Sequence, residues 1–273
     1  MLKSISFLLL AVFLLAMSSS AQQRMPQLSQ AAKISQTIGL SEVGISYHRP
    51  GVRGREIWGN VVKYDEVWRA GANEPTLVTF SDEATIEGKK LGAGTYRFVV
   101  IPSKTGDWTI IFNTETKNWG TVYNEKYDTL KFTVKPETGS NEEWMSFSFT
   151  DLTPFSGKIV LAWEKVRLSF KVEFNTTAKI QASVGSWQLL NSAARFTLDN
   201  KISMEEGLGW AERSVALDKN PWNLQTEAEL YAQTGKLKEA IAAGEEALKI
   251  AKEKNPKADT NSLEKMIDDW KKK

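Results

Sequence analysis

A period-two alternation of apolar and polar residues dominates the chain from about residue 32 to residue 174 and then stops. Its clearest stretch is residues 166–174, where Val, Leu, Phe, Val and Phe occupy alternate positions. Successive side chains of a strand point to opposite faces, so the pattern is typical of strands that lie on a core. Eight to ten short strands at this spacing predict an antiparallel β-sandwich. We expect hairpins over residues 33–47 and 158–174, the second of which turns at Glu164 and Lys165.

After Asn175 the alternation gives way to helical spacing that is rich in alanine and leucine. A shift of 35 residues aligns Trp187 with Trp222 and Gly209 with Gly244. The small residues would let paired helices approach closely. The repeated unit is similar to tetratricopeptide repeats, whose period is about 34 residues. We predict two helix-turn-helix units and a capping helix over 261–273, with an unrelated pair of helical hairpins as the alternative.

The first 21 residues have the features of a secretory signal peptide. Lys3 precedes an apolar run over residues 5–17, and small residues lead up to Ala21. The run is shorter than the roughly 20 residues of a membrane-spanning helix. We therefore expect an exported protein, periplasmic or extracellular, with no membrane insertion after cleavage. The predicted domains are a signal peptide (1–21), a β-sandwich (22–175) and a tetratricopeptide-like helical domain (176–273), an α+β multidomain chain.

Composition excludes several kinds of partner and site. With 35 basic and 33 acidic residues, the chain carries too little charge to suggest nucleic acid as a partner. The chain has no cysteine and one histidine, so it lacks the ligands for a nitrogen or sulfur metal site. We expect neither a metal nor a cofactor.

One stretch, residues 46–74, departs from ordinary core-and-surface patterning. The candidate ligand-binding residues in it are His48, Arg49, Arg53, Arg55, Trp58, Trp68, Arg69, Asn73 and Glu74. Turns at Gly51 and Gly54 would fold the loop back so that its guanidinium groups converge. Guanidinium groups bind carboxylate or phosphate, and tryptophan faces stack on sugars or cap an arginine. The alternative is that Arg69 pairs with Glu66 or Glu74 while the other arginines are solvated or bind loop carbonyls.

The motifs HRPGVRGREIWG, EVWRAGANEPTLVTF, LGAGTYRFVVIP and WTIIFN occur in this order. With them, residues 32–174 resemble the domain-of-unknown-function family 2911 of exported bacterial proteins. The family's recurring motifs fall on Arg49-Pro50 and on the segment from Arg69 to Glu74. The resemblance implies a secreted, β-rich domain and carries no established activity.

Catalytic motifs such as G-x-S-x-G, H-E-x-x-H and the phosphate-binding P-loop are absent from the sequence. We therefore expect a non-catalytic binding module for an anionic small molecule or a saccharide, with a protein or peptide partner on the helical repeats. Trp119, in a polar loop, is expected to be exposed. One alternative is a glycan hydrolase that uses Glu66 and Glu74 as acid and base. Another is an envelope scaffold without a small-molecule ligand.

Overall fold

The computed structural model describes residues 25–119, 122–183 and 185–273. The predicted signal peptide lies outside these residues. Within them the chain forms ten strands in two antiparallel sheets and then six α-helices, which confirms the α+β fold class. The chain divides into two compact units between Glu173 and Phe174. We call them the β unit and the helical unit.

Strands occupy most of the β unit. They are β1 (Gln30–Ile38), β2 (Ser41–Arg49), β3 (Leu77–Phe80), β4 (Ala84–Ile86), β5 (Lys89–Leu91), β6 (Gly94–Ile101), β7 (Trp108–Asn113), β8 (Asp128–Val134), β9 (Glu137–Thr150) and β10 (Ser156–Phe174). One sheet has the order β1-β2-β3-β6-β7-β8 and the other has the order β5-β4-β10-β9. The antiparallel pairing of β3 with β6 thus joins the first three strands of the larger sheet to its last three.

The two sheets pack face to face through aromatic side chains. Phe98 on β6 stacks on Phe170 on β10, with ring centroids 5.8 Å apart and planes inclined by 17°. Tyr47 on β2 meets Phe147 on β9 edge-on at 4.9 Å. Aromatic pairs in these offset and edge-to-face geometries stabilise a core beyond the area they bury. The predicted sandwich is therefore the observed arrangement.

The predicted hairpin over residues 158–174 is wrong, because β10 is one continuous strand of 19 residues. The pairing of β10 with β9 shifts register on both sides of Glu164, which has a φ of 53°. A bulge of this kind bends a strand without reversing it. The hairpin predicted over residues 33–47 is present, with β1 and β2 in register from Gln30 opposite Arg49 to Ile38 opposite Ser41.

The helical unit contains the six helices. They are α1 (Thr176–Ser183), α2 (Trp187–Asn200), α3 (Met204–Leu217), α4 (Pro221–Gln233), α5 (Leu237–Lys254) and α6 (Asn261–Lys271). Ser186 caps α2 with its side chain, and Asn220 forms a capping box at the start of α4. No helix in the described ranges is long and apolar enough to cross a membrane.

The helices do not keep the single shift of 35 residues on which the predicted repeat rests. The caps of α2 and α4 lie 34 positions apart, at Ser186 and Asn220. Of the five buried positions of α3, Leu208 has no buried counterpart in α5, and a shift of 33 places the other four on the buried positions of α5. They are Gly207, Trp210, Ala211 and Ser214 in α3, and Ala240, Ala243, Gly244 and Ala247 in α5.

The sequence predicted that Gly209 and Gly244 both lie at close helix contacts, and the structure agrees for only one of them. A Cβ added to Gly244 would lie 2.9 Å from Cγ1 of Ile267, so α6 packs directly against that backbone. A Cβ on Gly209 would have no neighbour within 4 Å. The predicted role of Gly209 is wrong, and Gly207, which meets Thr197 of α2, has it instead.

Candidate functional site

The loop between β2 and β3, residues 50–76, is fixed to both sheets. Gly51 bridges to Trp144 on β9 of the smaller sheet. Trp68 exchanges two backbone hydrogen bonds with Val100 on β6 of the larger sheet, at 2.8 and 2.9 Å. Backbone contacts to β9 and β6 therefore hold the loop against both sheets, although the loop itself is irregular.

Two tryptophans of this loop, Trp58 and Trp68, form a cluster with Trp108 and Trp163 of the strands. Trp68 is stacked on Trp163 of β10, with ring centroids 5.8 Å apart and planes inclined by 19°. Trp58 lies edge-on to Trp68 at 5.6 Å and to Trp108 at 4.7 Å. The indole N–H groups of Trp58 and Trp163 are buried and have no hydrogen-bond partner. Of the two predicted aromatic residues, Trp68 contributes to a cavity wall and Trp58 packs behind it.

The loop supplies most of the lining of a cavity of about 290 Å³. Three of the four predicted arginines, Arg53, Arg55 and Arg69, line it. Trp68 and Trp163 are also part of its wall, together with aliphatic side chains such as Val62. The cavity thus combines cationic groups with flat apolar surface.

Two of these arginines bind carbonyl oxygens of the chain. Nη2 of Arg53 donates to the carbonyl of Leu28 at 2.7 Å. Nε and Nη2 of Arg55 donate to the carbonyls of Val52 and Gly51 at 3.1 and 2.6 Å. Both arginines therefore bind carbonyl oxygens, as the alternative to a ligand site predicted, and both also line the cavity.

Arg69 differs from the other arginines of the loop. Its Nε is buried without a hydrogen-bond partner. Within the described residues its guanidinium forms no hydrogen bond and no ion pair, so the predicted alternative of pairing with Glu66 or Glu74 is wrong. Burial lowers the pKa of Arg69, and the charge of Arg69 contributes to lowering the pKa of the buried Arg97 on β6, after desolvation. A cavity wall therefore holds a positive charge that the described part of the protein does not compensate.

The remaining candidate residues lie outside the lining of this cavity. Nε of Arg49 donates to the carbonyl of Met145 on β9 at 2.8 Å, and Arg49 is the one of the four predicted arginines that does not line the cavity. His48 Nε2 lies 3.1 Å from an oxygen of Glu74. Nδ2 of Asn73 donates to Oε1 of Gln27 at 3.0 Å and to the carbonyl of Ser29 at 3.1 Å.

Comparison with protein families identifies the β unit. A family model described as "Protein of unknown function (DUF2911)" matches residues 29–172, more than half of the chain. The chain belongs to the DUF2911 family. No curated protein and no solved structure matches it. The matched residues contain all nine predicted site residues, and the helical unit lies beyond them.

Several residues of the DUF2911 cavity escaped sequence analysis. Trp163 is about 95 positions after Trp68, and only strand pairing brings the two together. Its position on the buried face of β10 predicted a core residue and gave no sign of the cavity. Leu28 and Ser29 precede the first predicted strand, where no periodic pattern existed to place them.

Two further features of the chain bear on the predictions. Trp119 is 59% exposed, as predicted for its loop. In the helical unit, Trp222 is 68% exposed and lines a second cavity of about 360 Å³ with Lys254 and Leu263. A protein or peptide partner for this unit stays a prediction.

The described residues contain no group of three His, Asp or Glu side chains that could hold a metal ion.

Proposed function

We propose that the DUF2911 unit is a non-catalytic binding module whose loop cavity takes the anionic group of a small molecule. The observation that supports this most directly is the uncompensated charge of Arg69 in the cavity wall. An ionised group that loses water without gaining a partner destabilises the folded state. A bound anion would supply the missing partner through charge-assisted hydrogen bonds.

The other polar atoms of the wall favour the same kind of ligand. Arg53 and Arg55 each use only some of their five N–H donors on carbonyls, so both can also donate to an anion. A ligand that brings several acceptors, such as a carboxylate, sulfate or phosphate, complements this set. Trp68 and Trp163 are 9% and 1% exposed and stack on each other, so they offer the rest of the ligand only a small apolar surface.

Binding accounts for this site better than hydrolysis does. The carboxylate of Glu74 lies on His48 and outside the cavity lining, and Glu66 is exposed. The assignment of these two glutamates as acid and base remains a prediction without a ligand cavity to support it. We further propose that the protein acts after export, on the basis of the signal-like residues 1–21.

Isothermal titration of the full chain with sodium phosphate, sulfate, benzoate and glucuronate tests the proposal, with glucose as the neutral comparison. We expect at least one anion to bind and Arg69→Gln to weaken it by about tenfold or more, since a charge-assisted hydrogen bond contributes about 1.5–3 kcal/mol. Arg49→Gln is the matched control, because it removes a guanidinium that does not line the cavity. Equal weakening by both substitutions, or no binding of any anion, would contradict the proposal.

A further inference from the structure

Residues 25–29 form a short irregular segment immediately before β1, which we call the N-terminal strap. Leu28 and Ser29 of the strap line the arginine cavity. The strap therefore forms part of the wall of the proposed anion site, although it belongs to neither sheet.

Side chains of the β2–β3 loop hold the strap in place. Arg53 donates to the carbonyl of Leu28, and Asn73 donates both to the side chain of Gln27 and to the carbonyl of Ser29. Within the described residues these three contacts are the hydrogen bonds of the strap, and none joins backbone to backbone. Leu28 is 75% exposed, so apolar burial contributes little to its attachment. The strap is thus bound much more weakly than a strand of either sheet.

We propose that the N-terminal strap is a lid that controls access to the arginine cavity. The cavity of about 290 Å³ is partly open to solvent with the strap in place, so movement of the strap would widen its entrance. Three side-chain hydrogen bonds at an exposed surface can open without loss of the core, because local opening requires only the contacts of the segment that moves. Asn73 is the main latch, since its amide makes two of the three bonds.

Arg53 links the lid to the proposed ligand. Arg53 is one of the residues that line the cavity, and its guanidinium binds the carbonyl of Leu28. An anion is a stronger acceptor than a neutral carbonyl. A ligand that draws Arg53 toward the cavity would therefore loosen the lid, and this coupling, unlike the lid itself, rests on the proposed function.

A thiol placed inside the cavity tests the lid without any ligand. Val62 is 4% exposed and lines the cavity, and the sequence contains no cysteine. In Val62→Cys, the rate of reaction with a small neutral methanethiosulfonate reports how readily a reagent reaches the thiol in the cavity. Asn73→Gly in this background removes the latch and keeps a backbone with φ of 56° free of strain, because glycine adopts this conformation readily. Lys201→Gly is the matched control, at φ 54° in the helical unit.

We expect Asn73→Gly to raise the labelling rate about fivefold or more, and Lys201→Gly to leave it unchanged. Equal rates in all three proteins, or no labelling even with Asn73→Gly, would overturn the lid. Ala72→Cys, on the same cavity wall, serves as a second reporter if Val62→Cys folds poorly. Since labelling needs no bound anion, a lid confirmed in this way would stand even if the titrations of the anion site failed, and the reverse also holds.

Discussion

Glu227 is a buried carboxylic acid in α4 and is only 8% exposed. Desolvation is the largest cause that raises its pKa to about 7, and the nearby Glu212 of α3 and Glu246 of α5 raise it further. Lys219, which precedes α4, opposes this shift. The folded helical unit therefore holds a proton on Glu227 at pH values where the unfolded chain, with an ordinary pKa near 4.5, has already released it.

The stability of the helical unit should fall as the pH rises from about 4.5 to above 7. In that window the folded state binds more protons than the unfolded state, so ionisation costs stability. We expect Glu227→Gln to remove most of this fall and to raise the free energy of unfolding at pH 8 by about 1 kcal/mol, after allowance for solvent screening. Urea unfolding followed by circular dichroism at pH 5 and pH 8 measures both effects. The exposed Glu253→Gln is the control, and an unchanged pH dependence in Glu227→Gln would count against the explanation.

For single residues of the arginine cavity, the sequence predicted the types of side chain better than their individual roles. It grouped four arginines in one loop, yet Arg49 turns to a carbonyl of β9 while Arg69 faces a cavity without a partner. Such roles depend on which backbone oxygens a guanidinium can reach, and those oxygens come from strands far along the chain. Local spacing contains no information about them.

Among the elements, α3 packs so closely on α2 that the backbone at Gly207 leaves no room for a side chain. A Cβ at this position would overlap Oγ1 of Thr197 and would lie 3.4 Å from Cδ2 of Leu230 in α4. We expect Gly207→Ala to destabilise the helical unit by about 1–3 kcal/mol through overpacking. Gly209→Ala is the matched control in the same helix. A Cβ there meets nothing within 4 Å, so the higher helix propensity of alanine should stabilise by up to about 1 kcal/mol.

Chemical unfolding of the two variants gives the measurement, and opposite signs are the expected outcome. Destabilisation of equal size in both variants would contradict the assignment of a close helix contact to Gly207 and of open space to Gly209. The predicted repeat could not distinguish the two glycines, because a single 35-residue shift aligned identical letters. The structure instead aligns buried positions, with offsets of 34 and 33 in successive helices.

Strands were easier to predict than their connections. Alternation identified the strand conformation of the second half of β10 correctly, with Leu168, Phe170, Val172 and Phe174 buried. The bulge at Glu164 resembled a turn in sequence because both require residues that leave the regular strand conformation. Only the pairing with β9 shows that the strand continues.

For the whole molecule, two separate apolar cores predict two thermal transitions. The aromatic core of the β unit lies between its sheets, whereas residues such as Leu190, Leu208 and Leu230 form a core of the helical unit. A domain with its own core generally unfolds as a cooperative unit. Differential scanning calorimetry should therefore resolve one transition for each unit.

Phe98→Ala provides the test of this division. Phe98 is fully buried and contacts Phe112, Phe147 and Phe170 from both sheets, with ring centroids between 5.5 and 5.8 Å away. Loss of such a ring costs about 3–5 kcal/mol and should lower the transition of the β unit by about 10 °C. The transition of the helical unit, which has an apolar core of its own, should move by less than about 2 °C. If both transitions fell together, the two units would unfold as one, and the stability of the anion site would depend on helices outside the DUF2911 match.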